Sequence, residues 1–141
     1  MLWFEYIHHI TVHFPIVLTM VMAAVGLYAT FRADTPELQR VLRWGGWITL
    51  AATTLAAISG ILTAPGLLGG GGEADLTHHR DLAITTWAVI ILAAWTYDQG
   101  VRREHTDWRK FAVAMWCIAV FGIIGTGHWG GFGLHAESIP W

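Results

Sequence analysis

Four long stretches of this chain contain no Asp, Glu, Lys or Arg: residues 6–31, 44–72, 82–97 and 111–136. A helix needs about 20 largely apolar residues to cross the hydrocarbon core of a bilayer. Three of the runs are long enough alone. The run 82–97 becomes long enough if the turn carrying Arg80 and Asp81 sits among the lipid headgroups. A soluble four-helix bundle would instead show a polar stripe on every helix. The segment "WITLAATTLAAISGILTA" offers only Thr and Ser hydroxyls. Charged residues make up 13% of the chain, against about 25% in a soluble domain. The expectation is an all-α, four-transmembrane-helix up-down bundle that forms one domain over residues 1–141.

The predicted helices are 7–31, 42–65, 77–98 and 109–133. Pro36 is expected to start a short separate piece in the first link. Short links favour antiparallel neighbours. The opening "MLWFEY" is acidic and aromatic rather than basic, so the first helix reads as mature rather than as a signal peptide. Seven of the eight Lys and Arg lie in or beside links one and three: Arg32, Arg40, Arg43, Arg102, Arg103, Arg109 and Lys110. Only Arg80 lies by the other end. The positive-inside rule then puts both termini on the outer, periplasmic side. Trp44, Trp47 and Trp108 suit an inner aromatic belt, and Trp3, Trp129 and Trp141 an outer one. No basic patch points to nucleic acid. The single cysteine, Cys117, excludes an internal disulfide, and no Cys-x-x-Cys-His motif is present for covalent haem attachment.

On that frame seven of the eight histidines converge on one end of the bundle. His8, His9 and His13 enter the first helix, His78 and His79 open the third, and His128 and His135 end the fourth. Ionisable residues inside a membrane are costly and point to function. His13, in "ITVHFPIVLTM", has the fewest ordinary reasons to be where it is. Pro15 lacks an N–H and frees the carbonyl of Thr11. It is expected to tilt the turn carrying His13 and aim the ring across the core. His9 shares the face of His13, and His8 is expected to point elsewhere. The rings of His13, His79 and His128 are expected at similar depth, facing the interior. If two of the three turn to lipid or solvent, the cofactor expectation fails with them. Glycines at 122, 125, 127, 130, 131 and 133, with Gly45, Gly46 and Gly60, allow either close helix packing or close approach of a flat cofactor.

Several chemistries use such rings. Two imidazoles on facing helices hold a haem iron, and haem b needs no covalent motif. Three imidazoles bind copper or zinc, although few carboxylates lie at that end and Cys117 is near mid-membrane. A proton or quinone site is a third use, and hydrogen bonding to carbonyls and partner chains a fourth.

The segments "VHFPI", "HHRDLA" and "GHWGGFGLHAE" resemble those of a bacterial family of four-helix membrane domains of unknown function. Members typically carry Val-His-Phe-Pro-Ile in the first helix and a His-Arg pair opening the third. Gly-His-x-Gly-Gly, then Leu-x-His-Gly, close the fourth. Some members are fused to cytochrome c domains. The resemblance spans nearly the whole chain. It falls on His13, on His79 with Arg80, and on His128 and His135. Ala136 stands where the family usually has glycine, and "EYIHHI" departs from its common His-Pro opening.

Together, residues and resemblance lead to a b-type-cytochrome-like subunit of the bacterial inner membrane. Haem b is the expected cofactor, with a quinone as a further candidate. The iron would lie between His13 and either His79 or His128, Arg80 would face a propionate, His128 would otherwise bond a propionate or quinone, and His135 is a further cofactor-binding candidate. Expected partners are membrane lipid, other membrane subunits and a separate periplasmic carrier such as a cytochrome c. The task would be electron transfer, with no catalytic residue assigned. The opposing expectation is a cofactor-free structural subunit of a respiratory or photosynthetic complex.

Overall fold

A computed structural model of the chain describes the backbone of residues 2–63 and 74–135, and side chains within 7–63 and 77–130. It contains four helices in chain order: α1, Leu2–Phe31; α2, Pro36–Thr63; α3, Ala74–Arg102; and α4, Thr106–His135. Helix α1 packs on α2 and α4, and α3 packs on the same two. So α1 and α3 face each other diagonally, as expected of an up-down bundle.

The links are shorter than expected. Pro36 does not start a separate piece; it is the first residue of α2 itself. Proline suits a first helical position, where its missing N–H costs nothing. Thr35 caps the helix, its hydroxyl accepting from the Leu38 N–H at 3.3 Å. Helix α3 likewise runs past residue 98. Asp98 and Arg102 pair at 2.6 Å, one turn apart, and hold the last turn together. The chain reverses through Glu104, which takes a left-handed φ of 54°.

Each helix buries a seven-residue seam. On α1 it runs His8, Pro15, Met22, Ala29, with Thr19 and Gly26 beside it. Leu42, Thr49 and Ala56 form it on α2, and Thr86, Ala93 and Gly100 on α3. A repeat of seven keeps one face turned to the neighbours in a nearly parallel packing. The core around these seams is built largely from small side chains: Ala93, Ala94, Ala112 and Ala119 beside Leu42, Ile90 and Trp116. The large apolar side chains point outward, among them Phe14, Phe31, Leu55, Phe121 and Ile124. Small residues inside and bulky apolar ones outside are the reverse of a water-soluble bundle and suit helices that contact lipid.

Three segments, Ile7–Phe31, Pro36–Thr63 and Thr106–Gly130, are long and apolar enough to cross a membrane. The α3 segment falls short of that measure, because Thr85, Thr86, Trp87, Thr96 and Tyr97 dilute its apolar run and Asp98 closes it. The hydroxyls of α2 are satisfied within the helix. Those of Thr49, Thr53, Thr54 and Thr63 donate to the carbonyls of Gly45, Thr49, Leu50 and Ser59. That removes the cost of carrying them into hydrocarbon.

Candidate functional site

Two histidines enter the bundle interior at the end opposite links one and three. The first is His8. Its Nδ1 lies 2.9 Å from the hydroxyl of Ser59 on α2. The Ser59 hydroxyl also reaches the carbonyl of Ala56 at 2.8 Å. The hydroxyl can both give and accept, so the direction of the His8–Ser59 bond follows the tautomer of the ring. Thr11 completes the group: its hydroxyl donates to the His8 carbonyl at 3.0 Å and touches Ser59 Oγ at 3.1 Å.

The second is His79. Its Nδ1–H donates to the carbonyl of Thr126 on α4 at 2.8 Å. A carbonyl can only accept, so this bond places the proton of His79 on Nδ1, and its Nε2 has no hydrogen-bond partner among the described residues.

Glycine makes both seats. A Cβ on Gly130 would lie 2.7 Å from His79 Nδ1, and one on Gly60 would lie 3.1 Å from His8 Cε1. A Cβ at 2.7 Å from a ring bonded on that side cannot be accommodated without moving the ring. Gly130→Ala is therefore expected to lift His79 off the Thr126 carbonyl. In ¹⁵N-histidine NMR of the purified protein, the hydrogen-bonded Nδ1–H signal of His79 should disappear. Gly127→Ala is the control, since nothing lies within 4 Å of a Cβ there. If both variants keep the signal, the seat is not set by Gly130.

The other histidines stand differently from expectation. His13 does not face the interior: it is exposed on the outer surface of α1, and His9 is exposed with it. The reason is helical geometry. Pro15 is buried in the seam, and a residue two positions away is rotated by about 200°. Pro15 also sits inside a helix that runs from Leu2 to Phe31. His8, expected to point elsewhere, is seven residues before Pro15 and so lies on its face. His128 is exposed too and meets the ring of Trp129 edge-on at 5.6 Å. His78 packs on the same indole at 5.2 Å. Arg80 pairs with Asp81 at 2.7 Å. His135 ends α4, and its side chain lies outside the described residues.

Two of the three expected rings therefore turn outward, and the cofactor expectation that rested on those three rings fails with them. His79 is the one that faces inward, and its companion across the diagonal is His8. Among the described residues no three His, Cys, Asp or Glu side chains come together as metal ligands. A two-imidazole site on an iron needs no third. The signal for His8 was the seven-residue spacing of His8, Pro15, Met22 and Ala29.

Comparison with family models, with curated proteins and with solved structures found no match. The family resemblance stands on its three motifs alone.

Proposed function

We propose that the chain is a b-type-cytochrome-like membrane subunit whose haem iron is held by His8 and His79. The observation that carries this reading is that one ring from each diagonal helix enters the interior with its Nδ1 on a protein oxygen. A ligating histidine commonly donates one ring N–H to a protein oxygen, which fixes the tautomer and frees the other nitrogen for the metal. His79 does so to the carbonyl of Thr126, and the Nδ1 of His8 faces the Ser59 hydroxyl, which accepts from it in the tautomer that ligation requires. They come from the diagonal helices α1 and α3, so they approach from opposite sides of the core. The donor set fits a bis-imidazole iron, and Gly60 and Gly130 give each ring room to seat. Haem would supply a one-electron couple. The chain's own part is to hold two half-buried imidazoles on facing helices.

In this reading α3 crosses the membrane with the other three helices, in the bacterial inner membrane. Electrons pass between the quinone pool and a periplasmic carrier, a cytochrome c being one such, within a larger complex. Arg80 remains assigned to a propionate and His135 to the cofactor. His13 and His128, exposed on the bundle surface, are assigned instead to contacts with lipid or neighbouring subunits. The visible absorption spectrum of protein purified from membranes tests the whole reading: reduced low-spin haem gives sharp bands, and a colourless protein sinks it.

A cofactor-free structural subunit is the second reading. What favours it is that both inward rings already have a protein partner, as a purely structural histidine would.

Both termini are proposed to face the periplasm, on the strength of seven basic residues against one. A reporter fused after Trp141 should be active only when exported; activity in the cytoplasm would reverse the orientation.

A further inference from the structure

His9 and His13 are the one pair of histidines in the sequence separated by four positions. Both belong to α1, which is a single helix from Leu2 to Phe31. Four residues advance a helix by about 6 Å and leave two positions about 40° apart. Their Cβ atoms then stand about 5–6 Å from each other on one face. The buried seam settles which face that is. Pro15 and Met22 turn inward, and His9 and His13 are both exposed. His8, one position earlier, is the ring that enters the bundle.

These two rings stand apart from the other exposed histidines. His78 and His128 rest against Trp129 at 5.2 and 5.6 Å, and His105 rests against Trp108 at 5.6 Å. His9 and His13 have no indole beside them and no hydrogen-bond partner among the described residues. The ring contact of His9 is with His8, at 6.4 Å. Around the pair Ile10, Phe14 and Val17 are exposed as well. All of them lie in the opening turns of Ile7–Phe31, a segment apolar enough to cross a membrane. A polar ring left without a partner on such a surface carries a desolvation cost, and ionisable side chains in membrane spans point to ion sites. A neutral imidazole is the commonest protein ligand of transition metals. Two of them at this spacing on a helix face are the pair that helical zinc sites use. The second ring is held beside the first, so it binds as an intramolecular ligand.

We propose that His9 and His13 chelate one divalent ion of the zinc or copper class on the outer surface of α1, with water completing its shell. This gives His13 a more specific use than contact with lipid or a neighbouring subunit. It is independent of the haem reading, which uses the inward face of the same helix.

The test uses the full chain without a histidine tag, purified in detergent, with Zn²⁺ binding measured by calorimetry. One Zn²⁺ per chain is expected. Cu²⁺ should displace it and show the EPR splitting of two bound nitrogens, while Mg²⁺, which prefers oxygen ligands, should not compete. His9→Gln and His13→Gln should each weaken Zn²⁺ binding about a hundredfold, because each destroys the chelate. His9→Ile combined with Ile10→His keeps the composition but breaks the spacing, and should weaken binding as much. His105→Gln, at the other end, should change nothing. All four positions are exposed, so the variants should elute from size exclusion as the parent does. Absence of Zn²⁺ binding would overturn the proposal, as would full affinity in the exchanged variant. So would a site that His79→Ala removes and His9→Gln leaves intact, which would place the ion in the interior.

Discussion

Replacing His8 by Ala should convert a six-coordinate low-spin haem into a five-coordinate high-spin one, or empty the protein of haem. His79→Ala should do the same, because the proposed iron depends on one ring from each side. His13→Ala should leave the spectrum unchanged, since that ring is exposed on the outside of α1. This reverses the expectation drawn from the sequence, in which His13 was the primary ligand and His8 the bystander. The pair of variants discriminates cleanly. Loss of low-spin haem in His13→Ala with retention in His8→Ala would restore the original ligand and refute the seam-based one. Ser59→Ala is a gentler probe. It removes the hydroxyl that faces His8 Nδ1, and a lost second partner of this kind typically costs about 10–100-fold in metal affinity.

Asp98→Ala should be the most destabilising single change at the other end. Asp98 is nearly buried, with its side chain 4% exposed, and receives Arg43 from α2 on one oxygen and Arg102 on the other. Removing it strips two charged hydrogen bonds and leaves Arg43 half-buried without a counter-charge. Breaking a fully buried pair costs about 3–5 kcal/mol. Arg43 keeps some access to water, so a loss of about 2–3 kcal/mol is the better figure. Arg102→Ala should cost under about 1 kcal/mol, because that side chain is 59% exposed. Unfolding of the detergent-purified variants by denaturant measures both. Equal stability of Asp98→Ala and the parent would show that the cluster does not hold α2 to α3.

The four helices were legible because hydrocarbon length and charge exclusion are properties of sequence alone. Their ends were less so. Residues 36–41 and 99–102 look like link by charge, yet Thr35 caps the helix at Pro36 and Asp98 holds Arg102 in helical register. Pairing of Arg43 with Asp98 joins residues 55 positions apart, and nothing local announces it. At the candidate site, His79 was legible from its place at the start of α3. His8 was missed because depth was used to rank the rings, when register decides which way a ring faces. Gly130 was visible as part of a glycine cluster, but its particular use, as the floor beneath His79, depends on how α3 and α4 meet.

Each inward ring is anchored within its own helical pair: His8 to Ser59 across α1 and α2, His79 to Thr126 across α3 and α4. Neither anchor crosses from one pair to the other. In the proposed reading each ring is therefore seated before the pairs meet, as it would be if the hairpins inserted one after the other during synthesis. Only docking of the hairpins would then bring both rings to one iron. A ligand that needs both rings binds the docked form alone, and so must stabilise it in proportion to its own affinity. In such a design cofactor capture and the last step of assembly are one equilibrium, and a half-assembled bundle has nothing with which to hold the cofactor.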